Sequence, residues 1–361
     1  MSVRNILLVL SLLLSIVIGA ALARGKGGGD AASDGQPKKI RIGLSLETLA
    51  VARWQGDRDR FVAKAKSLGA EVLVQSANGD DTVQMTQCQS LIANKVDVLV
   101  IVPHDGKLMA KAVEEAHKQG IPVIAYDRLI TDCDLDLYMT FDNVEVGRQQ
   151  ARYLVERMGG KGSIVQLLGA PTDNNAKLFK QGQDEVLEPL IKSGAITIVH
   201  KDWADDWSPI NAKKIVKAAI TKGVPFQGVL ASADIVASGA VQALTEEKLT
   251  NVLVTGQDAE LSACQMIVDG AMAMTIYKPL HLLANGAAET AVRLAQKKPV
   301  IASAAVNNNK IDVPSILYQV QTVHKDNLCD TVIADGFQDY DKVFQSVPAD
   351  KRPAKPTIRN P

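Results

Sequence analysis

The stretch VDVLVIVP at 96–103, with Val98-Leu99-Val100-Ile101-Val102 at its centre, decides the fold. Five apolar residues in a row, most of them β-branched, read as a strand buried on both faces, which is the habit of parallel sheets. After the polar tip at 103–106, Met109, Ala112, Val113 and Ala116 recur at helical spacing on one face. Further out, similar apolar runs stand at 72–74, 123–125, 164–168, 196–199, 229–231 and 252–254. Helical spacing returns between them, with Trp54, Phe61, Ala65 and Leu68 on one face, and Gly69, Gly120 and Gly270 follow such segments where a glycine ends a helix. Strand and helix alternating in this way mean βαβ units. The expected class is therefore α/β, and 361 residues are comfortable for two Rossmann-like lobes with parallel sheets.

The two halves echo each other. The strand, polar tip and helix at 98–106 recur at 229–237, and those at 123–128 recur at 252–258. Three crossover segments are expected: Phe141-Asp142-Asn143, Tyr277-Lys278-Pro279, and one around 307–310. This gives a first lobe of 39–142 plus 279–306, a second of 143–278 plus 307–345, and a loose tail at 346–361 carrying Pro348, Pro353, Pro356 and Pro361.

At the other end, Arg4 precedes an apolar run at 6–23 that closes on Ala21-Leu22-Ala23. A basic start, an apolar middle and a small-x-small end form a secretory signal peptide, expected at 1–23. The competing reading is an uncleaved anchor, because a run of this length sits at the lower limit for crossing a bilayer. The Gly- and Ser-rich stretch 24–38 reads as a flexible linker. The protein is expected to work in the periplasm, or on the membrane if the signal stays attached.

Forty basic and forty acidic side chains cancel, leaving no field to attract nucleic acid, so a neutral ligand fits better. His104, His117, His200, His281 and His324 have no metal-ligand spacing, and neither a Walker loop nor a G-x-S-x-G elbow is present. No catalytic residue, metal or cofactor is expected. Cys88, Cys133, Cys264 and Cys329 lie far apart, and either disulfides or free thiols suit an exported chain.

In open parallel sheets, ligands bind beyond the carboxyl ends of the strands, and those ends are polar here. They carry Arg53 and Trp54; Asp127 and Arg128; Asp173, Asn174, Asn175 and Lys177; Asp202, Trp203, Asp206 and Trp207; Gln257 and Asp258; and Lys278. Carboxylates, amides and guanidinium groups engage neighbouring hydroxyls, and Trp covers the C–H face of a sugar ring. Singly, Asp173 or Asp206 reads as a helix N-cap, a lone Trp as packing, and Asp127-Arg128 as a local ion pair. Their repetition in both halves points to a sugar.

The segments RWQGDRDRF (53–61), VQSANGDD (74–81), AYDRLI (125–130), DNNAKLF (173–179), DWADDW (202–207), TGQDAEL (255–261) and YKPLHLLAN (277–285) resemble the periplasmic sugar-binding family, ribose/galactose-binding-like, in its xylose-binding branch. The resemblance spans about 39–337 and implies a type I periplasmic binding fold whose lobes close on a monosaccharide, D-xylose or a related pentose. It also implies a monomer that serves the permease subunits of an ABC transporter. Residue by residue, it implies that Trp54 and Trp207 flank the ring. Arg53, Asp127 and Arg128 bind hydroxyls from one lobe, Asn175 and Asp258 from the other, and Lys278 from a crossover. One departure stands out: Ser232-Ala233-Asp234 has Ala where the family reads Asn, and a lost hydrogen bond of this kind costs about 0.5–1.5 kcal/mol.

Three other classes remain to be separated. A glycosidase or isomerase would use Asp127 and Asp258 as its carboxylate pair. A repressor core would need a helix-turn-helix where the export signal stands. A sensor of the same fold would report the sugar to a membrane kinase or chemoreceptor.

Overall fold

The computed structural model describes residues 39–359; the expected signal peptide and linker lie outside them. The strands are β1 (Arg41–Leu46), β2 (Glu71–Ser76), β3 (Val98–Val102), β4 (Val123–Tyr126), β5 (Leu137–Phe141), β6 (Gly162–Leu168), β7 (Ile196–Trp203), β8 (Gly228–Ala231), β9 (Leu253–Val254), β10 (Thr275–Tyr277), β11 (Ala304–Asn307), β12 (Asp312–Tyr318) and β13 (Gln321–Val323). Between them run helices α1 (Ala52–Ser67), α2 (Asp81–Ala93), α3 (Ala110–Lys118), α4 (Asn143–Arg157), α5 (Asn174–Lys192), α6 (Pro209–Thr221), α7 (Asp234–Glu246), α8 (Leu261–Asp269) and α9 (Leu280–Ala295).

Two main sheets form. One has the order β11-β12-β5-β4-β3-β1-β2 and is parallel except for β11; the other is β7-β6-β8-β9 and wholly parallel. The order β7-β6-β8-β9 repeats β2-β1-β3-β4, so the echo between the halves is a shared topology. Every residue of β3 is fully buried, as a strand with helices on both faces must be. Met109, Ala112, Val113 and Ala116 are likewise fully buried, and Trp54, Phe61 and Ala65 form the inner stripe of α1. Leu68 departs from that stripe: α1 ends at Ser67, and Leu68, as its C-cap, is 41% exposed. Gly270 ends α8 in the left-handed region (φ 84°), where a side chain would be strained.

The chain passes between the sheets at Phe141-Asp142-Asn143, where β5 gives way to α4, and at Tyr277-Lys278-Pro279, where β10 gives way to α9. The third passage is not at 307–310. The polar run Asn307-Asn308-Asn309-Lys310 is the turn of the β11–β12 hairpin, with Asn309 left-handed (φ 74°) and the Asn308 amide donating to the carbonyls of Ile130 and Cys133. β12 then pairs with β5, Ser315 opposite Tyr138, so the chain leaves the larger sheet only after Tyr318. β13 joins β10 in a small antiparallel pair.

The tail is also not loose. The Tyr340 hydroxyl donates to Pro353 O at 2.5 Å, the Arg352 guanidinium holds Val347 O and Asp341, and Arg359 N–H donates to Ala334 O at 2.6 Å. These bonds anchor a segment whose regular structure is one short 3-10 turn at Ala349–Lys351. All four cysteines are free thiols, three of them buried.

Candidate functional site

In each sheet the strand order reverses once, between β1 and β3 and between β6 and β8. Loops diverge at such switch points and leave a crevice at the carboxyl ends of the strands. Here the two crevices open onto one cavity of about 420 Å³. Arg53, Trp54, Asp127, Arg128, Asn175, Trp207, Asp258 and Lys278 all line it. Trp203 and Lys177 do not; they border a separate shallow groove along α5.

The local sequence explains the placement. Past β1, the chain reaches Glu47 and then the first turn of α1, which carries Arg53 and Trp54. Past β4 come Asp127 and Arg128, and past β6 comes Asp173, which caps α5 by accepting the Asn175 N–H at 2.8 Å. Lys278 follows β10 directly and is only 1% exposed.

Several tips sit on left-handed backbone: Asp127 (φ 62°), Asp206 (54°), Trp207 (56°), Asp258 (97°) and Ala259 (50°). For residues with a side chain this costs about 1–2 kcal/mol each. Strain persists where surrounding contacts over-determine it, and it clusters at functional sites.

One guanidinium joins the two sheets. Arg53 contacts the Asp127 carboxylate, lies 3.2 Å from Asp258 Oδ1 through Nη1, and 3.5 Å from Asp57 Oδ2 through Nε. Burial works against its charge, but Asp127, Asp258 and Asp57 outweigh burial and raise its pKa. In the same exchange, burial would raise Asp127, yet Arg53 and Lys278 hold its carboxyl below the ordinary range. Burial pushes Asp57 up to about 6 and lowers Lys278, although Asp258 stands 3.5 Å from the ammonium.

A second guanidinium ties the aromatic walls. Trp54 Nε1–H donates to Glu47 Oε1 (2.8 Å), while Glu47 Oε2 meets Arg128 Nη1 (2.8 Å). Arg128 Nε meets Asp173 Oδ2 (2.9 Å), which also accepts Trp207 Nε1–H (3.2 Å). Both indoles are therefore anchored through carboxylates to Arg128. The Trp207 ring lies over Gly169, where a Cβ would meet it at 2.1 Å, and stands edge-on to Phe179 at 6.3 Å. Trp54 has the Arg53 guanidinium 4.6 Å from its ring centroid.

Several of the expected hydroxyl-binding groups are thus already engaged with one another. Asn175 donates to Asp127 Oδ1 and O, and its own Oδ1 accepts from Asn143 and Tyr138. A fixed network of this kind offers its remaining lone pairs and N–H groups in set directions, which is how a site recognises the edge of a polyol.

The strand-end reading missed Glu47, Phe179, His104 and Glu260, all of which line the cavity. Glu47 directly follows β1, so the strand-end rule applied one residue earlier would have found it. Phe179 lies more than one turn into α5, beyond that rule. Burial and Asp258 push Glu260 up to about 7. Burial, with Glu260 and Asp258, holds Asp234 well above its ordinary value; its carboxylate accepts from the Thr275 hydroxyl and the Glu260 N–H. Ala233 also lines the cavity, 3% exposed.

Residues 42–299 match the family model for the periplasmic binding protein domain. Over 341 residues the chain is 45% identical to the D-xylose-binding periplasmic protein of Escherichia coli (strain K12), covering 93% of this chain and 98% of that one. The D-xylose-binding periplasmic protein of Haemophilus influenzae is 45% identical over 314 residues, covering 86% and 94%. Among solved structures, a carbohydrate transporter solute binding protein from Chloroflexus aurantiacus, in complex with D-glucose, superposes with a TM-score of 0.79 at 33% identity, covering 85% of this chain and 98% of its own. A match that begins in β1 and runs through α9, on two halves that share one strand order, places the chain in the periplasmic binding protein family.

Proposed function

We propose that the protein is a periplasmic receptor for a monosaccharide, D-xylose or a closely related pentose, which it delivers as a monomer to the permease subunits of an ABC transporter. The observation that carries this reading is the shared cavity, with charged and amide groups from both sheets between Trp54 and Trp207. The relatives described above, named for binding D-xylose, give the sugar its identity.

The lobes in this reading are 39–142 plus 279–318 and 143–278 plus 319–359, hinged on the three crossovers. Closure brings Arg53, Asp127 and Arg128 against Asn175, Asp258 and Trp207, so either lobe alone binds weakly. Turnover is not part of the reading. Asp127 and Asp258 are both ion-paired to Arg53, and that charge holds the Asp127 carboxyl below its ordinary range, so Asp127 is not set up as the protonated acid that a glycosidase needs.

Calorimetric titration with D-xylose, then with L-arabinose, D-ribose, D-glucose and D-galactose, tests the proposal. D-xylose is expected to bind at one site per chain. Silence with every sugar would sink the receptor reading, and sugar consumption during the titration would replace it with an enzyme.

A further inference from the structure

Asp173 lines the cavity but has almost nothing left to offer a ligand. Its Oδ1 accepts the Asn175 N–H (2.8 Å), and its Oδ2 accepts both Arg128 Nε (2.9 Å) and Trp207 Nε1–H (3.2 Å). Two of these three partners lie in its own half of the molecule, whereas Arg128 follows β4 of the other sheet. Trp207 and its neighbour Asp206 both occupy left-handed backbone, a conformation that a bulky residue does not hold without restraint. The restraints on this ring are Gly169 beneath it, Phe179 at its edge and the Asp173 carboxylate on its N–H.

We propose that Asp173 is a positioning residue that latches the two lobes and, in the same act, sets the Trp207 wall, so that closure and completion of the sugar-binding face are one event. Arg128 is the fixed point of the latch. It is anchored in its own half by Glu47 (2.8 Å) and by Pro103 O (3.3 Å). When the lobes separate, Asp173 loses the guanidinium that orients it, and Trp207 loses the oriented acceptor that holds it in a strained conformation. The wall is then mobile in the open receptor and fixed in the closed one. This inference rests on the hinge-closing receptor reading above.

The latch makes a distinctive demand on affinity. A residue that bonds one sugar hydroxyl discriminates between epimers; a latch acts on the closed state, so its loss weakens every sugar by one common factor. The test is Asp173→Asn in the full chain, since its single amide oxygen can keep the α5 cap while an NH2 donor replaces the oxygen that accepted from Arg128 and Trp207. The protein is labelled with 5-fluorotryptophan, giving three ¹⁹F resonances for Trp54, Trp203 and Trp207, and the Trp207 signal is assigned with Trp207→Phe.

In the unsubstituted protein, saturating D-xylose should sharpen the Trp207 resonance to one position. In Asp173→Asn it should stay broadened, with D-xylose and every other bound sugar weakened by the same factor, roughly 5- to 150-fold as for coupled equilibria. Asp173→Glu should recover part of the loss. Weakening of one sugar but not its epimers would make Asp173 a direct ligand contact. Unchanged affinity with an unchanged Trp207 signal would leave it a helix cap. Either result overturns the latch. If the unsubstituted protein binds no sugar, the receptor reading fails on its own, and the ligand-free Trp207 signals of the two proteins still decide whether Asp173 holds the wall.

Discussion

The two tryptophan walls are built in opposite ways. Trp54 stands in the first turn of α1, 3% exposed, packed in the core of the larger half beside Phe61, Tyr126 and Leu280. Trp207 stands past the end of β7 on left-handed backbone, partly exposed, with a glycine as its seat. Each indole donates to a carboxylate, and each carboxylate reaches Arg128. The difference is in backbone and packing: one wall is part of the fold, and the other is a strained tip that contacts complete. The lesson is that a binding protein can keep one face preset and leave the opposing face to be organised on closure.

Substitutions can break this comparison. Trp54→Ala should cost about 3–5 kcal/mol of folding stability, the range for emptying a large core position, together with sugar binding. A calorimetric melt checks it, and a melting point like that of the parent would show that Trp54 is no more structural than Trp207. Trp207→Ala should cost about 2 kcal/mol or more of binding free energy while lowering the melt less than Trp54→Ala does, since the Trp207 ring is only partly buried. Titration of both variants against D-xylose, set beside their melts, gives the ratio that distinguishes a core wall from a surface wall.

A smaller effect comes from Ala233, at the start of α7. Ala233→Asn adds an amide beside the ligand and should tighten D-xylose by about 0.5–1.5 kcal/mol, the net worth of one hydrogen bond. Weaker binding would mean that the space beside Ala233 is already used by the sugar or its water.

A separate effect lies in the pH dependence of the four-stranded half. Glu260 has its carboxyl raised from an ordinary 4.5 to about 7, by burial first and Asp258 second. A carboxyl raised in the folded state binds its proton more tightly there than in the unfolded chain, so its destabilising charge is fully present above pH 7. That penalty fades as the pH falls from 7 toward 4.5. Glu260→Gln should therefore melt higher than the parent at pH 8, with the gap closing by pH 5. A pH-independent gap would place the effect in packing instead.

Much of the architecture was legible in the chain. The buried strand at 98–102 and its six relatives, separated by helical stripes, announce parallel βαβ units, and the halves repeat their order because they repeat that pattern. The eight expected site residues come together because strand ends in a parallel sheet converge at a switch point. The third crossover was misread because Asn307-Asn308-Asn309-Lys310 has the composition of a linker and of a hairpin turn alike; only the pairing of β12 with β5 separates the two. The tail differs from the expectation because prolines limit it to one short 3-10 turn but do not prevent side-chain and main-chain anchors such as Tyr340 to Pro353.

The features legible in the chain are therefore periodic or local: apolar runs, helical stripes, glycine stops, and the residue types at the strand ends. These follow from each residue and its near neighbours, since burial on one or both faces leaves a mark at every position of an element. The features that need the folded molecule are pairwise and long-range. Arg53 bridges Asp127 and Asp258, Asp173 shares its charge with Arg128 from the other sheet, and Trp207 is held on backbone that its own residue type disfavours. Charge pairing across 205 residues of chain depends on where two separate sheets come to rest against each other, and no local pattern encodes that distance.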